Sequence, residues 1–276
     1  MCRKSLLCVL LFCLAGITPS SFSATAYFQV QNSRPEQVQI SPPMRRVEPP
    51  SPAATAEDLE RRADELRAEK QYLDALDYYH AALAKKPNDA QIYNKAGIAE
   101  LLIQRWKEAT RDFQHAVKGD RRFPDAYNNL GVIQYEEKKY GKAIKQYKKA
   151  IQLQPFAASF YSNLGAAYFS KKEFENASIA YAKALQLDPE IFERTSRTGI
   201  SAQLSSPGDR AHYDYVVAKL YAKMGSPDRS LQYLKRALEE GYKNVNDVYK
   251  DPEFADLRKD ARFTQLMSAR PLAIPE

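Results

Sequence analysis

Between residues 56 and 191 the chain repeats its pattern of large, small and polar side chains every 34 residues. Ala75, Ala109, Ala143 and Ala177 mark the phase, and Ala82, Ala116, Ala150 and Ala184 follow seven residues after each. Large rings keep the same step. Tyr72, Trp106, Tyr140 and Phe174 stand three residues before the first alanine, and Tyr79, Phe113, Tyr147 and Tyr181 four residues after it. A fixed period of this length marks an array of supersecondary units, each too small to bury its own apolar face. Four gapless units result: 56–89, 90–123, 124–157 and 158–191. With each unit numbered from 1, positions 4, 7, 8 and 11 share one face of a first helix, and positions 17, 20, 24 and 27 share one face of a second. Each unit therefore predicts a helical hairpin. Position 8 is Ala63, Gly97, Gly131 or Gly165, small enough for the two helices to approach closely. Pro87, Pro155 and Pro189 at position 32 predict the end of the second helix and the turn into the next unit.

Runs such as Tyr127-Asn128-Asn129-Leu130-Gly131 and Ala184-Leu185-Gln186-Leu187-Asp188-Pro189 resemble the tetratricopeptide repeat, and all four units agree in phase. The resemblance implies an all-α fold: a right-handed superhelical solenoid of helical hairpins, with about five repeats plus C-terminal capping helices. Two positions depart from the pattern. Arg62 takes position 7 of the first unit, usually apolar, and Arg121 replaces the proline in the second. The first unit is expected to act as a polar cap, as terminal repeats do.

The phase breaks after Ile191, and a segment over 192–205, rich in Ser, Thr and Arg, is expected to be a flexible insertion. Small residues resume at Ala218, Ser230 and Ala237, which predicts a fifth, divergent hairpin over 206–244. Ser206-Pro207 and Ser226-Pro227 each offer a cap followed by proline at the first helical position, and Gly225 and Gly241 follow the two helices. Residues 245–276 read as capping helices and a tail, covering the apolar face the fifth unit would otherwise expose.

At the other end, Arg3 and Lys4 precede an apolar run from Leu6 to Ile17, and Ala24-Thr25-Ala26 follows. This is the pattern of a signal peptide over 1–26 with cleavage before Tyr27, and the run is too short to span a bilayer. The expected protein is exported, periplasmic or extracellular, with no membrane span after cleavage. Cys2, Cys8 and Cys13 all lie in that segment, so the mature chain can form no disulfide. Residues 27–55, with six prolines between Arg34 and Pro52, predict a disordered tether.

Charge and chemistry narrow the function. The 276-residue chain carries a net +7, and the mature chain +5, short of a dedicated nucleic-acid binder. The second and third units are each +3, whereas the first is −3 and the fourth −1. His80, His115 and His212 show no i,i+4 spacing and no cysteine companions, so neither a metal site nor a cysteine nucleophile can be drawn. No glycine pair has phosphate-loop spacing. No catalytic residue and no cofactor is assigned. Asn176-Ala177-Ser178 matches a glycan acceptor but falls mid-helix.

A second stripe on the first helices, at positions 2, 5, 9 and 12, lies opposite the packed one and would face the concave side. It carries Ile98 and Leu101, then Val132 and Tyr135, then Ala166 and Phe169, edged by Asn94, Lys95, Asn128, Asn129 and Asn163. An apolar strip with amides suits a peptide, the amides pairing with its main chain. The alternative is that Leu101, Tyr135 and Phe169 pack between neighbouring first helices and the asparagines join unit to unit. Family members that clamp a C-terminal carboxylate use several cations on this face; here only Lys95 fits. Lys138, Lys142, Lys145 and Lys149 recur at spacings of three and four, a basic patch expected on the outward face of the third unit's second helix. The leading expectation is an exported scaffold for protein–protein interaction that binds a peptide segment of an envelope or secretory complex. The other is a binder of anionic envelope polymers, cell-wall glycan or lipopolysaccharide, through the basic second and third units.

Overall fold

The computed structural model describes residues 47–193 and 207–269. The expected signal peptide, most of the tether, the centre of the insertion, Ser206 and the tail beyond Ala269 lie outside the described residues. Among the described residues the regular structure is all helical: α1 (Ala56–Ala68), α2 (Tyr72–Lys85), α3 (Ala90–Leu102), α4 (Trp106–Gly119), α5 (Pro124–Glu136), α6 (Tyr140–Leu153), α7 (Ala158–Ser170), α8 (Phe174–Leu187), α9 (Pro207–Lys223), α10 (Pro227–Glu239), α11 (Asp247–Lys250) and α12 (Ala261–Ala269). Two 3-10 turns, Pro252–Phe254 and Leu257–Lys259, join the last two. Consecutive helices pair as antiparallel hairpins, and the second helix of each hairpin packs on the first helix of the next. The fold is a solenoid of helical hairpins.

Small and large side chains interlock inside each hairpin. A β-carbon added at Gly97, Gly131 or Gly165 would meet the ring of Phe113, Tyr147 or Tyr181 at 2.7, 2.6 and 2.5 Å, so position 24 claims the room that position 8 leaves. The alanines at positions 20 and 27 are fully buried in all four units. The fifth hairpin uses the same device: Ala218, Ser230 and Ala237 are buried, and the Ser230 hydroxyl donates to the Ala218 carbonyl at 2.8 Å.

The turn within each hairpin is built one way. Position 15 is left-handed at Lys70, Gln104, Lys138 and Lys172, with φ of 63, 62, 59 and 64°, and Gly225 serves there in the fifth hairpin at φ 70°. The next amide then reaches back to the carbonyl of position 11, as from Gln71 to Leu66 at 2.8 Å and Arg105 to Glu100 at 2.9 Å. That satisfies helix-end carbonyls that would otherwise be orphaned.

Four sequence expectations need correction. The second helices all end at position 30, at Lys85, Gly119, Leu153 and Leu187, although Arg121 replaces proline in the second unit. The stop is set by backbone: the position 31 amide still bonds position 27, as from Asp120 to Ala116 at 2.9 Å, and the chain then turns extended. Second, the proline-rich segment is not all tether. Val47 and Ala54 pack on the first hairpin, Tyr78 donates to the Glu48 carbonyl at 3.0 Å, and Lys85 to that of Pro52 at 2.9 Å. Four residues of extended strap match seven of helix, roughly 12 Å against 10 Å, so the strap lies along α2. Third, Phe192 belongs to the core, its ring against Tyr181 at 5.4 Å and Tyr213 at 6.2 Å. Fourth, Ser226 precedes Pro227 but makes no side-chain capping bond.

At the C-terminal end Phe254, Leu257, Phe263 and Met267 are buried in one cluster with Tyr215, Val217 and Tyr221 of α9. Arg258 ties the connection together by donating to the carbonyls of Val248 and Asp251 at 3.0 and 2.9 Å.

Candidate functional site

Neighbouring first helices are offset by one residue beyond the repeat, so side chains 35 apart in sequence meet across the seam. Lys95 donates to Glu60 at 2.6 Å in this register, and also to Asp64 at 2.6 Å. Asp64 further accepts from the Tyr79 hydroxyl at 2.6 Å. Burial alone would raise the Asp64 carboxyl, but the Lys95 ammonium and the Tyr79 hydroxyl together hold it below the ordinary carboxylate range. Lys95 is thus neutralised inside the array rather than offered to a ligand.

The asparagines form a chain of amides through three hairpins. Asn163 donates to Asn128 at 3.0 Å, Asn128 to Asn129 at 3.3 Å, and Asn129 to Asn94 at 2.9 Å. All four are buried, at 2 to 8% exposure. An amide is both donor and acceptor, so one residue type repeated along a solenoid can pair with itself. Each member spends one donor or one acceptor, or one of each, in the ladder and keeps the rest of its capacity.

The apolar members of the stripe do not form an open floor. Leu101, Val132, Tyr135 and Ala166 are buried, Phe169 is fully buried, and only Ile98 is partly buried, packed against the cluster of the first four. The Tyr135 hydroxyl meets Ser170 of the next first helix at 2.8 Å, again 35 residues on. Phe169 sits in an aromatic cluster with Phe174, His212 and Tyr213, at ring distances of 5.1, 5.4 and 6.1 Å. Of the two readings of Leu101, Tyr135 and Phe169, their burial favours packing between neighbouring first helices over free-standing anchors.

The basic patch is also rearranged. Lys138 occupies the left-handed turn before α6, so it is not on that helix; Lys142 and Lys145 are exposed on α6, and Lys149, partly buried, donates to Gln152 at 3.3 Å. Sequence reasoning missed Glu60, Asp64 and Ser170 as partners. For Glu60 and Ser170 the signal was present as pairs of polar residues 35 rather than 34 apart; Asp64 lies 31 from Lys95 and follows no such step.

Models described as TPR repeat and tetratricopeptide repeat match residues 133–172, 158–191 and 60–125. Among solved structures, PilF of Pseudomonas aeruginosa is 18% identical over 78% of this chain and 88% of its own, with a TM-score of 0.52. MamA from Desulfovibrio magneticus RS-1 is 18% identical over 69% of this chain and 97% of its own, at 0.49. A thermophilic TPR protein of Thermus thermophilus is 21% identical over 78% and 100%, at 0.47. No curated protein matches the chain. The likeness is one of fold. The repeats are of a kind that generally serves as a non-catalytic interaction scaffold, and they support that role for this chain.

Proposed function

We propose that the protein is an exported scaffold that holds an extended peptide segment of an envelope or secretory partner along the seam of α3, α5 and α7. The amide ladder from Asn163 to Asn94 is the observation that carries this reading. Helices in contact lie roughly 8–10 Å apart, and an extended chain advances about 3.3 Å per residue, so each hairpin would present its amides to about every third residue of a peptide. Spare amide donors and acceptors at that interval suit main-chain groups rather than a particular side chain, with partly buried Ile98 as an apolar contact beside them. Export rests on the apolar run Leu6–Ile17 and on Ala24-Thr25-Ala26. Mass spectrometry of the mature protein should find Tyr27 at its N-terminus; an intact Met1 would remove export from the reading.

A photo-crosslinking residue at position 98, compared with one at position 145 on α6, tests the seam in cells. Crosslinks from 98 should identify a peptide. That peptide, synthesised, should bind Asn94→Ala and Asn163→Ala about tenfold more weakly than the unaltered protein. Crosslinks from 145 alone, to an anionic polymer or a protein, would replace the seam with the lysines of α6 as the binding surface. No comparison with known proteins points to an anionic polymer.

A further inference from the structure

From the second unit on, position 11 of the repeat faces the second helix of the preceding hairpin. Leu66 and Tyr168 hold it in the first and fourth units, but Glu100 and Gln134 hold it in the second and third. Each of these two polar side chains leaves an oxygen, Glu100 Oε2 and Gln134 Oε1, buried without a hydrogen-bond partner. Glu100 has at least a counter-ion, Arg105 at 3.6 Å. Gln134 has none, and its site is hollow: a cavity of about 280 Å³ opens between α4 and the α5–α6 hairpin.

Three amides line it, Gln114 from α4, Gln134 from α5 and Gln146 from α6, together with the Glu137 carboxylate and apolar Leu130 and Ile133. Two cations reach it. Lys139 is paired with Glu137 at 2.9 Å, whereas Lys142 makes no ion pair among the described residues.

One repeat later the array fills the same place itself. The equivalents of Gln134 and Gln114, 34 residues on, are Tyr168 and Lys148, and the Lys148 ammonium lies 5.5 Å over the Tyr168 ring. The space between those hairpins thus holds a six-membered ring bearing a hydroxyl, next to a cation. Between the second and third hairpins the ring is missing and the lining has changed from aromatic to amide, which favours a hydroxylated ring over an aromatic one. The orphaned Gln134 oxygen needs a donor, which a ring hydroxyl supplies. Lys142 needs an anion. Ligand pockets run upward from roughly 300 Å³, so the cavity suits one ring and not an oligosaccharide.

We propose that the crevice between the second and third hairpins binds a single anionic sugar ring, a pyranose bearing a carboxylate or a phosphate. Gln134 accepts from a ring hydroxyl, Gln114 and Gln146 bond its neighbours, and Lys142 pairs with the charged substituent. The proposal is independent of the peptide seam, which lies on other faces of the same hairpins.

Titration calorimetry on the full mature chain with glucuronate, glucose 6-phosphate and glucose tests it. At least one anion should bind, and glucose should bind about tenfold more weakly or not at all; the tighter anion identifies the substituent as carboxylate or phosphate. Gln134→Tyr rebuilds the arrangement of the next repeat and should abolish binding while the melting temperature holds or rises, so loss of the fold cannot mimic loss of the site. Lys142→Gln should weaken the anions about tenfold, and Lys145→Gln, on the same helix outside the cavity, should not. Failure of both anions to bind at millimolar concentration overturns the proposal. So does binding that survives Gln134→Tyr, or that falls equally with Lys145→Gln, since either places the anion on the outer surface.

Discussion

Two seams run along this array, one between neighbouring first helices and one between each second helix and the hairpin that follows it. In the first seam polar groups meet their complements at a step of 35 residues: Glu60 with Lys95, Asn94 with Asn129, Asn128 with Asn163, Tyr135 with Ser170. In the second, position 11 buries one oxygen each of Glu100 and Gln134 without a hydrogen-bond partner. The difference follows from symmetry. Neighbouring first helices present nearly equivalent positions to each other, so a self-complementary residue such as asparagine pairs along the array by translation alone. Position 11 faces a different surface on the preceding hairpin, and no repetition of its own residue type can satisfy it. Paired groups hold units in register. Unpaired ones mark where the array has room for something else.

The largest effect should come from Phe169→Ala, because Phe169 is fully buried where the fourth hairpin meets the fifth. Urea unfolding should show a loss of about 3–5 kcal/mol. If the variant kept its stability but lost a partner, the ring would be an exposed anchor and the first seam would be open after all. Tyr135→Phe, which removes only the bond to Ser170, should cost about 0.5–1.5 kcal/mol.

Breaking the ladder in the middle comes next. Asn128→Ala strands the Asn163 amide donor and the Asn129 carbonyl, and should cost about 1–3 kcal/mol. A double-mutant cycle of Asn128→Ala with Asn163→Ala should show coupling. Strict additivity would mean that the amides do not act as a connected row.

The second seam should reveal itself through pH. Burial, and then the neighbouring Glu100 carboxylate, pushes the Asp112 carboxyl up to about 7, and burial likewise raises Glu100, against the opposing charge of Arg105. A carboxyl whose folded value lies above its unfolded value holds its proton more tightly when folded. The stability these two carboxyls contribute is therefore fully present below the ordinary carboxylate range and is lost as pH rises from about 4 to about 7. Denaturation at about pH 5 should need more urea than at about pH 8, and Glu100→Gln should shrink that gap. An unchanged gap would clear this cluster and direct attention to Asp214. Asp214 is also raised to about 7 by burial, with Arg236 at 3.2 Å and neither of its oxygens hydrogen-bonded.

The smallest change tests the turn that the two seams share. Gln104→Gly relieves a left-handed residue that the fifth hairpin already builds from Gly225, and should stabilise by about 0.5–1 kcal/mol after the added freedom of the unfolded glycine is counted. A loss would mean that the Gln104 side chain contributes a contact outweighing that strain.

Much of the fold could be read from the chain because the information is local and repeated. The 34-residue phase, the small residue opposite a large ring, and the resumption at Ala218 and Ala237 each follow from helix periodicity within one hairpin. The all-α solenoid needs little more. What tertiary structure decided lies between hairpins. Stacking shifts neighbours by one residue, and that shift turned Lys95 from a candidate ligand contact into the partner of Glu60, laced the asparagines together, and closed Tyr135 and Phe169 into the core. It also laid Glu48–Pro52 along α2, drew Phe192 in beside Tyr181, and left the cavity at Gln134 that Tyr168 fills one unit later. A sequence records which residues share a helix face. Which face meets which, and with what offset, depends on how whole hairpins pack, and only the assembled solenoid contains that.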